Sequence, residues 1–393
     1  MRRRLLFVFV AALALGALAF FFVLPAVVER RLNRVTVERP YVISDRAREL
    51  HSRLFVADLH ADTLLWDRDP LARSSRGHAD LPRLREGNVS LQFFTAVTKT
   101  PRGMNIERNE GDTDNITPLV FAMRWPRETW TSLKARALHQ ARRLREAEAR
   151  SGGALVILRS ADDLERHLER WRVRAGSGEQ PFVAAVLGVE GAHALEGDPA
   201  NLDALFEAGY RMVGFVHFFD NEFGGSAHGA VKGGLTGRGR ELLRRMEARG
   251  VIADLAHASA RTLDDVTALA TRPVVVSHTG VRGTCDNARN LSDEQLRRVA
   301  ATGGVVGIGF WETAACGADA RSIARAVRHA VGVVGARHVA LGSDFDGAVA
   351  VPFDASGVAL LTEALLAEGL AEDEIELIMG GNVVRLLAAA LPR

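Results

Sequence analysis

The sequence predicts an α/β fold: a (β/α)8 barrel of the TIM type with an N-terminal transmembrane or signal-anchor helix. Eight short apolar runs rich in Val, Ile or Phe alternate with helical patterns, as expected of parallel strands that are covered on both faces. Most of these runs finish in a His, Asp or Glu side chain, and enzymes of this fold assemble their chemistry at the carboxyl ends of the strands. An uncharged run of 24 residues, Leu5–Val28, precedes them.

The predicted strands leave room for a helix between most neighbours. They are Phe55–Asp62, Val89–Val97, Phe182–Glu190, Tyr210–Phe218, Val251–His257, Pro273–His278, Gly303–Trp311 and His338–Asp344. Eight such units favour a closed barrel. A doubly wound open sheet is the alternative, and the lack of a glycine-rich phosphate loop after the first strand disfavours it.

Helical patterns separate most of the strands, and glycines stand where several helices must end. Gly209, Gly250 and Gly303 occupy such places, which are typical of a glycine C-cap. The predicted helices are Ser44–Leu54, Trp130–Arg150, Ala200–Ala208, Gly237–Arg249, Ala260–Ala270, Ser292–Ala301 and Asp319–Val334. The segment around residues 98–160 departs most from the alternation, so it reads as an insertion after the second strand, with Gly152–Ser160 as a peripheral strand.

The run Leu5–Val28 follows three arginines and is long enough to cross a bilayer of about 30 Å as a helix. A cleaved signal peptide usually has a shorter apolar core of roughly 7–15 residues, so an uncleaved anchor is favoured over secretion after cleavage. We expect residues 1–34 to be a membrane anchor or signal segment, residues 35–50 a linker and residues 51–393 the barrel domain. The barrel would lie outside the cytoplasm, in the periplasm or at the cell surface.

Charge argues against a nucleic-acid-binding protein. Six of the 50 basic residues and one of the 48 acidic residues lie within residues 1–34, which leaves 44 basic and 47 acidic residues for the remainder. A nucleic-acid binder would show a basic stripe in its folded part. The two cysteines, Cys285 and Cys316, could pair in an oxidising compartment, and the residues alone leave this open.

The strand ends carry side chains that suit a metal site. His60 and Asp62 stand two residues apart, so in a strand both project to the same face and can reach one cation. Glu190 closes an apolar strand, and its two carboxylate oxygens could bridge two metal ions about 3.5–4 Å apart. His257 and His278 follow consecutive strands, and neutral imidazole is a common zinc ligand. The set predicts a metal-dependent hydrolase.

Two further candidates stand at the same end of the predicted barrel. His217 closes the apolar run MVGFVH, and Asp344, within GSDFDG, ends the eighth strand. Closure of the barrel sets the eighth strand beside the first, so we expect Asp344 to lie near His60.

Eight segments together resemble, in the same order, motifs of the membrane dipeptidases of the renal dipeptidase type, which are zinc peptidases with an amidohydrolase-like barrel. The segments are VADLHADTLLW, LGVEGAH, VHFFDNEFG, IADLAHAS, VVSHTGVRG, NARNLSDEQL, LGSDFDG and GGNVVRLL. The similarity runs from about residue 50 to about residue 390. It implies hydrolysis of the peptide bond of free dipeptides by a hydroxide that bridges two zinc ions.

The resemblance also implies a metal-binding role for each strand-end ligand. His60 and Asp62 would bind the first zinc, His257 and His278 would bind the second, and Glu190 would bridge the two.

Other residues take substrate-side roles by the same resemblance. His217 would contact the scissile carbonyl or its oxyanion, Arg289 would pair with the free carboxylate of the dipeptide, and Asp344 would carry the proton. Cys285 and Cys316 stand at places similar to those of a disulfide in secreted relatives.

Two alternative functions stay open. One is a related binuclear-metal amidohydrolase acting on N-acyl amino acids or lactones, and the other is a non-catalytic surface-binding protein. The expected partners are a small dipeptide and the lipid bilayer, and a homodimer is left open.

Overall fold

The computed structural model describes residues 2–174 and 182–393, and in these residues eight parallel strands close into a barrel. The strands are β1 (Val56–Ala61), β2 (Val89–Val97), β3 (Val183–Glu190), β4 (Tyr210–Gly214), β5 (Ile252–Asp254), β6 (Val275–Thr279), β7 (Val305–Ile308) and β8 (Val339–Leu341). Each pairs with the next, and β8 pairs with β1. The predicted (β/α)8 barrel is confirmed and the open-sheet alternative is wrong.

Four strands end three or four residues earlier than the sequence predicts, namely β4, β5, β7 and β8. His257 and Asp344 have φ values of 62° and 60°, which an extended strand does not allow. The predicted strand ends at these residues are therefore wrong. The chain turns at each of these two residues, which places their side chains at the mouth of the barrel.

The helices fall largely where the sequence predicts them, and side chains cap several of their N-termini. Ser44 accepts a hydrogen bond from the Ala47 amide and Asp319 accepts one from the Ser322 amide, as N-cap residues do. The α-helices of the domain are Asp45–Arg53, Leu81–Glu86, Ile116–Ala122, Leu133–Arg150, Ala161–Arg174, Leu202–Ala208, Gly237–Arg249, Ala260–Leu269, Asp293–Ala301, Glu312–Ala315, Ala320–Val334, Ala359–Ala367, Glu372–Glu376 and Asn382–Ala390.

The insertion lies against the barrel as two helices and a peripheral strand. The strand Leu155–Ile157 pairs with the first half of β3, which confirms the peripheral strand. The long helix begins at Leu133 instead of the predicted Trp130, because Ser132 caps it by accepting from the Ala135 amide.

The barrel interior is filled with apolar side chains. One buried cluster takes members from all eight strands and from the final helix, Asn382–Ala390. That helix packs against residues at the amino ends of strands, including Val275 and Val305, and so covers that end. A filled interior leaves the carboxyl-end mouth as the place for a site.

The N-terminal helix runs from Arg2 to Leu32, with a π-helical turn at Ala19–Val23. It is long and apolar enough to cross a membrane, a test that an N-terminal signal sequence also passes. Arg2–Leu18 buries no residue, whereas Leu24–Leu32 buries Pro25 and Glu29.

Candidate active site

The side chains predicted from the sequence converge at the mouth of the barrel. One cavity of about 480 Å³ is lined by seven of them, while His60 is fully buried beside it. The seven are Asp62, Glu190, His217, His257, His278, Arg289 and Asp344.

Glu190 occupies the middle of this cluster because it ends β3 with its carboxylate directed into the mouth. Its Oε1 lies 3.7 Å from His60 Nε2, 3.0 Å from His257 Nε2 and 3.2 Å from His278 Nε2. Its Oε2 lies 3.1 Å from His217 Nε2. One carboxylate thus faces imidazoles from four different parts of the chain, which is the arrangement that a bridging ligand requires.

Three overlapping groups of donor atoms are close enough to hold a cation. In each group the atoms lie within 4.8 Å of one another. The groups are His60, Asp62 and Glu190; Glu190, His217 and His257; and His60, His278 and Asp344. The first coincides with the predicted first zinc set. The second contains His217 where the sequence leads us to expect His278, although His278 Nε2 lies 3.0 Å from His257 Nε2.

A serine within β6, Ser277, orients two of the imidazoles. Ser277 Oγ donates to Asp254 Oδ2 at 2.7 Å, so its lone pairs remain to accept from His60 Nδ1 at 3.2 Å and His278 Nδ1 at 2.9 Å. This arrangement places a proton on Nδ1 of each ring, so Nε2 is the nitrogen that can bind a cation. His60 Nε2 has no hydrogen-bond partner. This tautomer is the one that binds a metal through Nε2, so the donor set fits a divalent cation such as zinc.

Burial also determines the charge of three imidazoles, those of His217, His257 and His278. It lowers the pKa of His217, His257 and His278 well below the ordinary value, because the charged form is poorly solvated there. Neutral imidazoles keep the lone pair that a metal needs.

The carboxylates of the cluster bring negative charge into the same buried space. Burial, with Asp62 nearby, raises the pKa of Glu190 well above its ordinary value. Burial alone would lower the pKa of His60, but Asp62 and Glu190 outweigh it and raise that pKa to about 10. The negative charge here therefore requires a positive partner, and a divalent cation can serve in place of the proton on His60.

Asp344 and Arg289 both approach the cluster. Asp344 Oδ1 is 4.0 Å from His60 Nε2, and burial raises the pKa of Asp344 to about 8. Arg289 Nη2 donates to the His278 carbonyl at 2.9 Å, and its guanidinium lies 5.3 Å from the centre of the Trp311 ring. Within residues 2–174 and 182–393, no carboxylate oxygen lies within 4.0 Å of the Arg289 guanidinium, so its charge is available to a ligand.

Sequence reasoning missed the supporting residues. Ser277 and Asp254 hold His60 and His278, and Thr95 Oγ1 donates to Asp62 Oδ1 at 2.6 Å. Ser277 directly precedes His278, and its position next to a strand-end ligand was the one available signal. The Cys285–Cys316 disulfide is present, as the resemblance implies.

Comparison with known proteins identifies the family of the chain. The family model for membrane dipeptidases, peptidase family M19, matches residues 44–391. The chain belongs to the membrane dipeptidase family. It is a metallo-dipeptidase, a hydrolase of a metal-dependent family.

Relatives and solved structures fit this membership. An uncharacterized protein in the pqqA 5' region of Klebsiella pneumoniae is 32% identical over 261 residues, which cover 62% of this chain and 92% of that protein. An uncharacterized dipeptidase of Schizosaccharomyces pombe is 29% identical over 323 residues, covering 79% and 72%. The structure of dipeptidase AC, a metallopeptidase of the same family, is 25% identical with a TM-score of 0.68, covering 86% of this chain and 99% of that one.

A further structure supports the fold of the dipeptidase. A metallopeptidase from Rhodobacter sphaeroides, liganded with a phosphinate mimic of the dipeptide L-Ala-D-Ala, has a TM-score of 0.68 at 24% identity. It covers 86% of this chain and 99% of its own length.

Proposed function

We propose that this metallo-dipeptidase is a zinc enzyme that cleaves free dipeptides at a binuclear site. His60, Asp62 and Glu190 would hold one ion, and Glu190, His257 and His278 the other. The observation that carries the proposal is the central position of Glu190, whose Oε1 lies between 3.0 and 3.7 Å from the three imidazoles of these sets. When bound, such ions supply Lewis acidity that polarises a carbonyl and acidifies water.

The remaining residues would move protons and stabilise charge. Asp344 would take a proton from the attacking water and deliver it to the leaving amine, since a carboxylate that reaches both can do so in turn. His217 would donate to the oxyanion that develops on the scissile carbonyl. The competing role for His217 is metal ligation, which its 3.1 Å distance to Glu190 Oε2 also allows.

Arg289 would select the length of the substrate. A guanidinium fork matches a carboxylate, and this one lies in the cavity without an ion-pair partner among the described residues. A free C-terminal carboxylate would therefore be strongly preferred. The ligand of the Rhodobacter sphaeroides protein, a mimic of a free dipeptide, supports the same substrate class.

We also propose the location and the organisation of the chain. Residues 1–34 would be a retained membrane anchor, residues 35–50 a linker and residues 51–393 the catalytic domain with its insertion around 98–160. The domain would lie outside the cytoplasm, where the Cys285–Cys316 disulfide is compatible with the redox conditions. A homodimer stays a prediction, which the mass of the detergent-solubilised protein would check.

The decisive experiment is metal analysis of the full-length enzyme in detergent, coupled to hydrolysis of a panel of substrates. We expect two zinc ions per chain and a much higher kcat/KM for free dipeptides than for their C-terminal amides. Preferred cleavage of N-acyl amino acids or lactones would favour the related amidohydrolase instead. Protein that contains no metal and cleaves none of the panel would favour a binding protein.

A further inference from the structure

The N-terminal helix lines the same cavity as the candidate metal ligands. Phe20, Leu24, Val28 and Leu32 all line it together with Glu190. They recur every four residues, so they lie along one side of the helix. None of the four is polar, and a bilayer alone would not require any of them to reach a catalytic cavity.

Buried polar contacts fix this part of the helix to the domain. Glu29 is 1% exposed, and its Oε1 accepts from Arg68 Nε at 2.7 Å while Oε2 accepts from Arg76. Arg68 pairs in turn with Asp346. A buried charge is tolerated only when it is paired, so the ion pairs favour one position of the helix.

Neighbouring contacts hold the two ends of the same segment. Asn33 Oδ1 accepts from the Ala348 amide at 2.8 Å. Arg124 Nη1 donates to the Phe21 carbonyl at 2.6 Å, and the Phe121 ring lies 5.6 Å from the Phe21 ring. Phe121 and Arg124 belong to the insertion, so the insertion and the helix form this apolar wall together.

The part of the wall that the insertion supplies lies across the barrel mouth from Arg289. The other wall residues come from the loops after β1, β2 and β8, and include Trp66, Leu119 and Val349. Arg289 follows β6, and β6 lies four strands away from β2 in either direction around the barrel. A dipeptide with its carboxylate on Arg289 would therefore extend its N-terminal residue toward this part of the wall.

We propose that Phe20–Leu32 is the specificity wall for the N-terminal side chain of the dipeptide and selects a large apolar residue there. The inference rests on the proposed dipeptidase site and adds the substrate class and the residues that select it. The two parts of the helix then differ in role, because the segment 2–19 is left to attach the enzyme to a membrane while Phe20–Leu32 completes its substrate pocket.

The test compares three dipeptides, Leu-Ala, Ala-Leu and Ala-Ala, with full-length enzyme in detergent. Leu24→Ser and Val28→Ser should each lower kcat/KM for Leu-Ala about tenfold, because an apolar pocket discriminates by roughly that factor for lost apolar contact. The other two substrates should change less than about twofold. Val27→Ser is the matched control, since Val27 is 53% exposed on the same helix and does not line the cavity. Equal losses for all three substrates, or no loss, would overturn the inference.

A second measurement does not depend on turnover. Both cysteines are paired, so Leu24→Cys introduces a single free thiol. A phosphinate mimic of Leu-Ala should slow its modification by a maleimide at least about fivefold, while Val27→Cys should react at an unchanged rate. If the phosphinate does not slow modification of Leu24→Cys while the enzyme cleaves dipeptides, the specificity wall is overturned and the proposed function stands. If wild-type enzyme cleaves no dipeptide, the proposed function itself is overturned.

Discussion

Ser277 donates its hydroxyl proton to Asp254, with 2.7 Å between Oγ and Oδ2. Because the proton is committed to the carboxylate, Ser277 Oγ can only accept from the two Nδ1 atoms that approach it. A pair of residues outside the set of candidate ligands thus determines which nitrogen of His60 and of His278 faces that set.

Ser277→Ala should weaken metal binding about 10- to 100-fold, since the loss of a hydrogen bond that orients a ligand costs that much. Chelator competition on the purified enzyme measures the affinity directly. Ser322→Ala is the matched control, because Ser322 is also buried and donates to Asp319 at 2.9 Å, away from the cavity. Unchanged affinity in Ser277→Ala would mean that the imidazoles are oriented by other contacts.

Asp344→Asn should leave the metal bound while kcat falls by about 10²-fold or more, because a positioned proton carrier contributes that much. The amide has nearly the same shape but cannot accept and return a proton. Metal content and turnover measured on the same preparation separate the two effects. Near-normal turnover would assign the proton transfer to another group.

Arg289→Ala should raise KM for free dipeptides far more than for their C-terminal amides, since only the free acid offers a carboxylate to the guanidinium. Arg282→Ala is the control. Arg282 is an arginine of the same loop, but it does not line this cavity. A similar rise for acids and amides would show that the carboxylate is bound elsewhere.

Glu29→Gln should destabilise the domain by about 3–5 kcal/mol, because it removes one charge from a buried ion-pair network. Arg68 would keep Asp346, but Arg76 would lose the Glu29 carboxylate. Thermal unfolding in detergent, with the exposed Glu38→Gln as control, measures the effect. A shift no larger than that of the control would mean that the helix is not held through Glu29.

The strand-end ligands could be predicted from the sequence because parallel strands bring all their carboxyl ends to one place. That rule alone was enough to predict that His60 and Glu190 lie close together, without knowing the direction of their side chains. Ser277 and Asp254 could not be predicted, since they meet only when β5 and β6 pair in a particular register. Leu24 and Val28 could not be predicted as pocket residues either, because a membrane-spanning helix explains their apolar character equally well.

The Cys285–Cys316 disulfide joins the loop after β6, which carries Arg289, to the segment that follows Trp311. Asn287 adds a hydrogen bond from its side-chain amide to the Thr313 carbonyl at 2.8 Å. The disulfide therefore links the segments that carry the Arg289 guanidinium and the Trp311 ring, which face each other. Protein made in a reducing cytoplasm would lack this disulfide. Its affinity for the carboxylate of a substrate would therefore depend on the compartment in which the protein folds.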